Sequence, residues 1–278
     1  MQLGYIDYLN CYPFYYHMFE KQTLEGIKIV AGHPSFLNKM LSENMLDMSP
    51  ISSATYATLQ NDIVIIPKFC LSSVGYVASV VLLSKTPIEE LNKKRIGISS
   101  ASHTSQVLLK ILLKNYYKLE PIYFVSPFSP SLKDMDAALV IGNDAMLKTS
   151  EPIPYIYDLG DLWLRKTGFP VVFAVFAVRK AIISKYLKHI ETVINSYHTS
   201  LSCLYEKKET VIKHAKLKYP DILYDISHYY NLLKFEFTDD LKKSLLHYFF
   251  MAEDIGLLNT VKEINFLDLN DYYGSKNQ

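Results

Sequence analysis

Hydroxyl side chains follow two predicted strands of this chain, and each group of hydroxyls opens a predicted helix. The first group lies in DMSPISSATYATL (residues 47–59), and the second lies in IGISSASHTSQVLLKIL (residues 96–112). The candidate capping residues are Ser52, Ser53, Ser102, Thr104 and Ser105. A helix N-terminus with hydroxyls beside it favours anions, because its free N–H groups carry a partial positive charge. The two stretches therefore predict two anion-binding positions facing each other across a cleft, and helix capping alone is the alternative.

Two further junctions between a predicted strand and a predicted helix carry polar side chains. Asn10 lies just before Pro13, which is placed to open a helix, and its amide is either a helix cap or a group facing a ligand. Gly142, Asn143 and Asp144 form the other junction, after an apolar run. A single glycine there is weak evidence for a phosphate site. Position alone does not decide between capping and ligand binding at either junction.

The composition describes a globular chain and argues against several kinds of site. The chain has 278 residues, of which 49% are hydrophobic and 21% charged, and its net charge of +1 predicts no nucleic-acid surface. Cys11, Cys70 and Cys203 are far apart and form no CxxC pair or Cys/His cluster, so we expect neither a disulfide framework nor a metal site. Because nearly all basic residues are lysines, an anion site cannot depend on many arginine side chains.

Neither the N-terminus nor the apolar runs indicate export or a membrane. The N-terminal stretch, MQLGYIDYLN, lacks the basic region and apolar run of a secretory signal. The longest apolar stretches, VASVVLL (77–83) and VVFAVFAV (171–178), are shorter than the roughly 20 residues that a transmembrane helix needs, and they are predicted to be buried strands. We expect a cytoplasmic protein without a membrane partner. The sequence does not indicate whether the protein forms oligomers.

Strands and helices alternate in two blocks along the first part of the chain, which implies a mostly parallel sheet in each block. Two blocks joined by two long apolar strands predict two α/β lobes with a ligand cleft between them, the architecture of type II periplasmic binding proteins. The first lobe would comprise residues 1–83 and 176–278, and the second residues 84–175; one continuous doubly wound domain is the alternative. The predicted C-terminal helices cover residues 181–206, 209–218, 221–234 and 238–257.

Six segments of the chain appear in the order and spacing of one enzyme family. They are IDYLNCYP (6–13), SPISSATYA (49–57), SVGYVASVVLLSKTP (73–87), SSASHTSQVLLKILL (99–113), ALVIGNDAM (138–146) and YDLGDLWLRKTGFPVVFAVFAVR (157–179). Together they resemble the chorismate dehydratases of the futalosine route to menaquinone. The resemblance covers roughly residues 1–179, and the last segment is its most specific part. The helical tail is compatible with the family without being diagnostic of it.

The resemblance implies a type II binding-protein fold that acts as an enzyme. The family's reaction removes water from chorismate, a dicarboxylate, and gives 3-[(1-carboxyvinyl)oxy]benzoate without a cofactor. The resemblance places Asn10 and Ser79 at the reacting centre. The residues that it implies around the substrate are Ser52, Ser53, Ser102, His103, Thr104, Ser105, Gly142 and Asn143. The family pattern has Asp where Asn143 stands, and it has a variable, often basic residue at His103, for which an exposed loop position is the alternative.

The resemblance also suggests how the reaction proceeds. The ring C–H beside the enolpyruvyl ether and the neighbouring hydroxyl are lost, and the aromatic product gives the elimination a strong driving force. A strong protein base is therefore not required, and the first five segments contain only Asp7, His103 and Asp144 as Asp, Glu or His. We hypothesise that the enolpyruvyl carboxylate takes the proton, that Asn10 orients the leaving hydroxyl and that Ser79 holds the enolpyruvyl arm.

Three other functions share parts of this pattern. A non-catalytic protein that binds an aromatic acid would have the same fold and anion-binding positions, although the absence of an export signal argues against a periplasmic form. The related enzyme that makes a dihydroxynaphthoate later in the pathway is expected to differ at SPISS and TGFPVVFA. The effector domain of a transcription factor would follow a helix-turn-helix, whereas this chain starts on its first predicted strand.

Overall fold

The computed structural model of the protein describes residues 1–126, 129–148 and 152–273, and within them the chain forms two β-sheets. The strands, in chain order, are β1 (Gln2–Ile6), β2 (Lys28–Gly32), β3 (Met48–Ser52), β4 (Ile63–Ser73), β5 (Val80–Ser84), β6 (Arg95–Ser99), β7 (Ile122–Ser126), β8 (Ala137–Ile141), β9 (Tyr155–Asp158), β10 (Val171–Arg179) and β11 (Leu233–Phe237). The helices, in chain order, are α1 (Tyr12–Glu20), α2 (Pro34–Ser42), α3 (Ser53–Leu59), α4 (His103–Ile111), α5 (Gly142–Lys148), α6 (Leu159–Thr167), α7 (Ile183–Glu206), α8 (Lys208–Lys218), α9 (Ile226–Leu232), α10 (Asp239–Asp254) and α11 (Asn270–Tyr273).

The first sheet has the strand order β11-β4-β10-β3-β1-β2, and the second has the order β7-β6-β8-β5-β9. In the first sheet β1 is parallel to β2 and β3, while β10 runs antiparallel to β3 and β4. In the second sheet β6 is parallel to β7 and β8, while β5 runs antiparallel to β8 and β9. The first sheet has a second antiparallel strand, β11, which pairs with β4. Both sheets are therefore mixed, with at least as many antiparallel as parallel pairs, and do not have the mostly parallel pairing that was expected. The predicted α/β fold is confirmed.

The chain passes from the first sheet to the second between β4 and β5, and it returns between α6 and β10. These positions correct the predicted crossings near residues 83 and 175, because β5 lies entirely in the second sheet and β10 entirely in the first. At the first crossing the error comes from taking the apolar stretch VASVVLL (77–83) as one strand, although β5 begins only at Val80. Gly75 and Ala78 have positive φ angles of 83° and 64°, so the backbone turns there before β5 begins.

The C-terminal region is mostly helical, as predicted, with one error. The predicted helix over residues 221–234 is wrong at both ends, because α9 covers only its middle and the last two residues begin β11. The sequence of β11, LKFEF, alternates buried and exposed side chains as a strand does, and it pairs with β4 at the edge of the first sheet. A period-two pattern this short, placed between two helical patterns, is easily taken for the end of a helix.

One hydrophobic core extends through both lobes. It includes Phe176 of the first sheet, Leu139 of the second sheet and Trp163 of α6, each of which is at most 1% exposed. Helix α10 packs against α3, β10 and α4, so the C-terminal region contacts elements of both lobes. This shared core fixes the position of the cleft between the sheets. None of the helices in the described part of the chain is long and apolar enough to cross a bilayer.

Candidate active site

A cavity of about 520 Å3, including its open mouth, lies where the two lobes meet. Its lining comes from both sheets, from the connection between β4 and β5, and from the start of β11. The apolar lining residues are Ile6, Pro34, Leu71, Val77, Val80, Ile141, Phe173, Ala174 and Leu233. The remaining lining residues are Tyr8, Asn10, Ser52, Ser79, Ser102, Ser105 and Gly142. An apolar pocket with a few convergent polar groups is typical of a small-molecule site.

Three serines form what we call the hydroxyl wall of this cavity: Ser52, Ser102 and Ser105. Ser102 is the N-cap of α4, as predicted; its Oγ accepts a hydrogen bond from the Ser105 N–H at 3.3 Å and lies 2.9 Å from the Ser105 hydroxyl. Ser52 immediately precedes α3, but its hydroxyl makes no capping bond to that helix. The hydroxyl wall therefore offers neutral donors beside the N-terminus of α4, where the helix dipole favours an anion.

Thr104 joins the two lobes instead of lining the cavity. Its hydroxyl is fully buried, accepts a hydrogen bond from the Ala54 N–H at 3.1 Å and donates to the Phe173 carbonyl at 2.9 Å. The first turns of α3 and α4 therefore touch, so the two predicted anion-binding positions lie side by side and do not face each other across the cleft. The two positions merge into the hydroxyl wall, so a second anionic group would have to bind elsewhere in the cavity.

Three more of the predicted substrate-binding residues lie outside the cavity lining. Ser53 is fully buried, and its hydroxyl has no hydrogen-bond partner among the described residues. His103 begins α4 as a half-buried side chain, not in an exposed loop, and burial followed by the charge of Lys110 lowers its pKa. Asn143 accepts a hydrogen bond from the Leu9 N–H at 3.0 Å, which joins α5 to the first lobe. These three side chains thus do not belong to the lining of this cavity.

A second polar group, which we call the Tyr229 cluster, consists of Asn10, Ser79 and Tyr229. Tyr229 is fully buried, and its hydroxyl donates a hydrogen bond to Ser79 Oγ at 2.8 Å. Burial raises the pKa of Tyr229, and a hydrogen bond with Asn10 opposes that rise. The Asn10 Oδ1 atom is buried without a partner in the described part of the chain. The two residues predicted for the reacting centre therefore line one cavity and approach one phenol hydroxyl.

Tyr229 is the functional candidate that the sequence did not reveal. It is one of 22 tyrosines, and it lies in the segment whose secondary structure was predicted incorrectly. The missed signal is the alternating pattern of β11. Because β11 pairs with β4, the residues just before it are brought beside the connection that carries Ser79.

Gly142 contributes to the lining through its lack of a side chain. It has a φ angle of +62°, and a Cβ atom there would lie 2.8 Å from the ring of Tyr8. Its N–H donates a hydrogen bond to the Ser79 carbonyl at 2.7 Å, so this junction also supports the backbone of Ser79. Tyr8 in turn contacts His33, whose Nδ1 lies 3.0 Å from the tyrosine hydroxyl, at the border with a second, polar cavity that includes Asp144.

Asp158 ends β9, caps α6 and organises the segment that carries Ser79. Its carboxylate accepts hydrogen bonds from the N–H groups of Val77 at 3.1 Å, Ala78 at 2.7 Å and Asp161 at 3.1 Å. Burial raises the pKa of Asp158 to about 6, and these backbone donors oppose the rise. The carboxylate therefore holds the β4–β5 connection in place, including Ala78 in its left-handed conformation.

Among the described residues that line the cavity, none is Asp, Glu, His, Lys or Arg. Tyr8 is the ionisable side chain in that lining, and burial, followed by the charge of Asp144, raises its pKa. Asp7 is exposed; it accepts a hydrogen bond from the Tyr219 hydroxyl at 2.8 Å and lies 3.4 Å from the Lys218 ammonium. In the described ranges no three His, Cys, Asp or Glu side chains are grouped so as to hold a metal ion. The cavity is thus suited to orienting an anion with neutral donors.

The two sheets and the cleft between them define a two-lobed protein of the periplasmic-binding-protein type. The periplasmic aliphatic sulphonate binding protein SsuA from Escherichia coli has a TM-score of 0.62 at 11% sequence identity, over 96% of this chain and 93% of that protein. Protein AF1704 from Archaeoglobus fulgidus has a TM-score of 0.77 at 19% identity, over 92% of this chain and 98% of that protein. The predicted fold class is confirmed.

The sequence defines the family more narrowly. A model of the menaquinone biosynthesis family matches residues 1–254, and the chain belongs to that family. The chorismate dehydratase of Thermus thermophilus is 28% identical over 194 residues, which are 64% of this chain and 69% of that protein. The chorismate dehydratase of Campylobacter jejuni is 28% identical over 232 residues, which are 81% of this chain and 89% of that protein. The family resemblance of the six segments is confirmed.

Proposed function

We propose that the protein is a chorismate dehydratase, a hydro-lyase that removes water from chorismate to give 3-[(1-carboxyvinyl)oxy]benzoate. One observation carries the proposal. Asn10 and Ser79, for which the family resemblance implies a role at the reacting centre, line the same cavity and approach the same Tyr229 hydroxyl. Asn10 follows β1 of the first sheet and Ser79 precedes β5 of the second sheet, so the two residues meet where the lobes join.

The two polar groups of the cavity suit the two carboxylates of chorismate. We assign the ring carboxylate to the hydroxyl wall, which presents neutral donors near the positive end of α4. We assign the carboxylate of the enolpyruvyl arm to Ser79. The apolar lining, which includes Phe173 and Leu233, would then contact the ring. Such a site needs no arginine, and none of the described residues that line the cavity is an arginine.

The proposed reaction is a balanced elimination. The electron pair of the ring C–H bond beside the enolpyruvyl ether forms a new ring double bond, and the neighbouring C–O bond breaks as hydroxide leaves. The abstracted proton and the hydroxide together form the released water, so the step requires no oxidant or reductant. The aromatic product supplies the driving force, and the protein must mainly hold the substrate in the reactive conformation. Such positioning is worth about 7–11 kcal/mol in favourable cases.

We assign the abstraction of the proton to the enolpyruvyl carboxylate of the substrate itself. No lining residue in the described part of the chain is Asp, Glu or His, and Tyr8 is held as a neutral phenol because burial raises its pKa. The unpartnered Asn10 Oδ1 would accept a hydrogen bond from the departing hydroxyl and orient it. Ser79 would hold the enolpyruvyl arm so that its carboxylate stays beside the C–H bond.

The proposal is tested by incubating the purified protein with chorismate and EDTA and following the product by mass and ultraviolet spectrum. We expect the loss of one water and the appearance of an aromatic spectrum, with heat-denatured protein as the control. A non-catalytic aromatic-acid binding protein is the second candidate, because the fold is shared with binding proteins of low sequence identity. Unchanged chorismate with tight binding in calorimetry would favour that candidate, and neither turnover nor binding would reject both. The cytoplasmic location stays a prediction, and cell fractionation tests it.

A further inference from the structure

The C-terminal region reaches the proposed reacting centre through two adjacent tyrosines of α9. The Tyr229 hydroxyl donates to Ser79 Oγ at 2.8 Å, and the Tyr230 hydroxyl donates to the Leu9 carbonyl at 3.1 Å, one residue before Asn10. Their side chains are 0% and 4% exposed. One turn of helix therefore contacts both segments that carry the residues assigned to the reaction.

The position of α9 is fixed by contacts other than these two hydrogen bonds. Asp225 caps the helix, because its Oδ1 accepts hydrogen bonds from the N–H groups of Ser227 at 2.9 Å and His228 at 3.1 Å. Strand β11 follows α9 directly and pairs with β4, with Leu233 opposite Ser73 at the end of β4. After Ser73 the chain leaves β4 and enters the β4–β5 connection, which carries Ser79. The edge of the first sheet thus holds Tyr229 and the β4–β5 connection in one rigid frame.

The Tyr229 hydroxyl is the donor in its hydrogen bond with Ser79, and this leaves the hydrogen of the Ser79 hydroxyl available for another acceptor. Because the phenol donates, Ser79 Oγ is the acceptor, and the hydrogen of the serine hydroxyl must point elsewhere. None of the described residues accepts a hydrogen bond from the Ser79 hydroxyl. Since Ser79 lines the cavity, its O–H is left to donate to a ligand.

We propose that Tyr229 is a positioning residue of the dehydratase, which directs the Ser79 O–H into the cavity toward the carboxylate of the enolpyruvyl arm. This inference rests on the proposed function. Without the phenol hydroxyl, Ser79 keeps its place in the chain, but its hydroxyl rotates among several orientations. The arm, and with it the carboxylate that takes the proton, then loses its fixed direction. The loss should fall on kcat, because the hydroxyl wall still binds the ring carboxylate.

A double-mutant cycle tests the inference, with chorismate as the substrate and kcat and KM as the readouts. Tyr229→Phe keeps the ring and removes only the hydroxyl, and it is measured alone and together with Ser79→Ala. The matched control is Tyr197→Phe, which removes a buried hydroxyl 2.7 Å from that of Tyr15, and neither of these tyrosines lines the cavity. We expect Tyr229→Phe to lower kcat about tenfold and to change KM less than about threefold. The double variant should match Ser79→Ala within about twofold, and Tyr197→Phe should keep the wild-type kcat.

If Tyr229→Phe lowers kcat by the same factor in the wild type and in Ser79→Ala, the inference is overturned, because a purely structural role of Tyr229 does not depend on the serine hydroxyl. A wild-type kcat, or a loss confined to KM, would overturn it as well. Should circular dichroism show Tyr229→Phe to be unfolded, Tyr229→Met replaces it, since methionine also lacks the hydroxyl and adapts to irregular space. Failure of the wild-type protein to convert chorismate would reject the proposed function itself. Turnover by the wild type with an additive cycle would reject only the role of Tyr229.

Discussion

The hydroxyl wall and the Tyr229 cluster line one cavity but are built in different ways. Ser52 and Ser102 of the hydroxyl wall each stand directly before a helix, and Ser102 is held by a neighbour three residues along the chain. The Tyr229 cluster joins three segments that are distant in sequence, and hydrogen bonds of Tyr229 with Ser79 and with Asn10 hold it together. Local capping determines the first, and tertiary packing determines the second. We therefore expect single changes to weaken the hydroxyl wall gradually and to disable the Tyr229 cluster as a unit.

The largest expected effect is that of Asn10→Ala. The change removes the Oδ1 atom assigned to the leaving hydroxyl, and it also takes a partner from the Tyr229 hydroxyl. We expect kcat on chorismate to fall about 100-fold or more, the size of effect that follows when one hydrogen-bonding group acting in the transition state is removed from an enzyme, with little change in KM. Initial rates of product formation measure this, and the exposed Asn195→Ala serves as the control. A kcat within threefold of wild type would exclude Asn10 from the reacting centre.

The second effect, on the hydroxyl wall, should differ in kind. Ser102→Ala removes one donor to the ring carboxylate and leaves the Tyr229 cluster intact. We expect KM for chorismate to rise about tenfold while kcat changes little, and the loss of the N-cap should cost about 1 kcal/mol of stability. Steady-state kinetics and thermal unfolding measure these effects, with the exposed Ser202→Ala as the matched control. A loss of kcat at constant KM would contradict the distinction between the two groups.

The same contrast explains how much of the site the sequence could predict. Strand ends and helix starts have local signatures, so Ser52 and Ser102 could be found from residue type and position. The role of Thr104 could not, because its hydroxyl joins Ala54 of the other lobe and no local pattern indicates that partner. Tyr229 was out of reach for the same reason. Its function depends on where α9 packs.

The fold was predictable wherever periodicity was long enough. Alternation of strands and helices predicted the α/β class, and the long helices α7 and α10 were placed closely. The crossing predicted near residue 83 was wrong because the loop residues Val77 and Ala78 are apolar and buried like the strand that follows them. The short strand β11 was not predicted, because an alternating pattern of only five residues is hard to recognise between two helical patterns.

A third, smaller effect should come from the carboxylate that supports the Tyr229 cluster from behind. Burial raises the pKa of Asp158 to about 6. Below that pH the protonated carboxyl loses acceptor capacity for the N–H groups of Val77 and Ala78, and the connection that carries Ser79 loosens. We expect kcat to fall severalfold between pH 7 and pH 5 in the wild type. The Asp158→Asn variant should have a low kcat already at pH 7 and should lose this pH dependence. The surface variant Asp161→Asn should keep the pH dependence of the wild type.

The sign of the stability change separates this effect from acid denaturation. Because the folded-state pKa of Asp158 is raised above its ordinary value of 3.8, the folded protein binds this proton more tightly than the unfolded chain does. The contribution of Asp158 to stability is therefore greatest below pH 3.8 and is lost as the pH rises through about 6. Activity and this contribution should change in opposite directions between pH 6 and pH 5. The Asp158-dependent part of the melting temperature is the difference between the wild type and Asp158→Asn. If this difference and kcat both fell as the pH is lowered from 6 to 5, the assignment would be contradicted.

The smallest expected effect is that of Asp7→Asn, and it tests whether the Tyr229 cluster needs a protein carboxylate. Asp7 is exposed and contacts Tyr219 and Lys218 at the end of α8, and it does not line the cavity. Asparagine can still accept the hydrogen bond from Tyr219, and the lost surface ion pair is worth at most about 1 kcal/mol. We expect kcat on chorismate to stay within about twofold of wild type, because the substrate carboxylate takes the proton. Loss of turnover in a folded Asp7→Asn protein, judged by circular dichroism, would instead require a protein base and would reject the substrate-assisted mechanism.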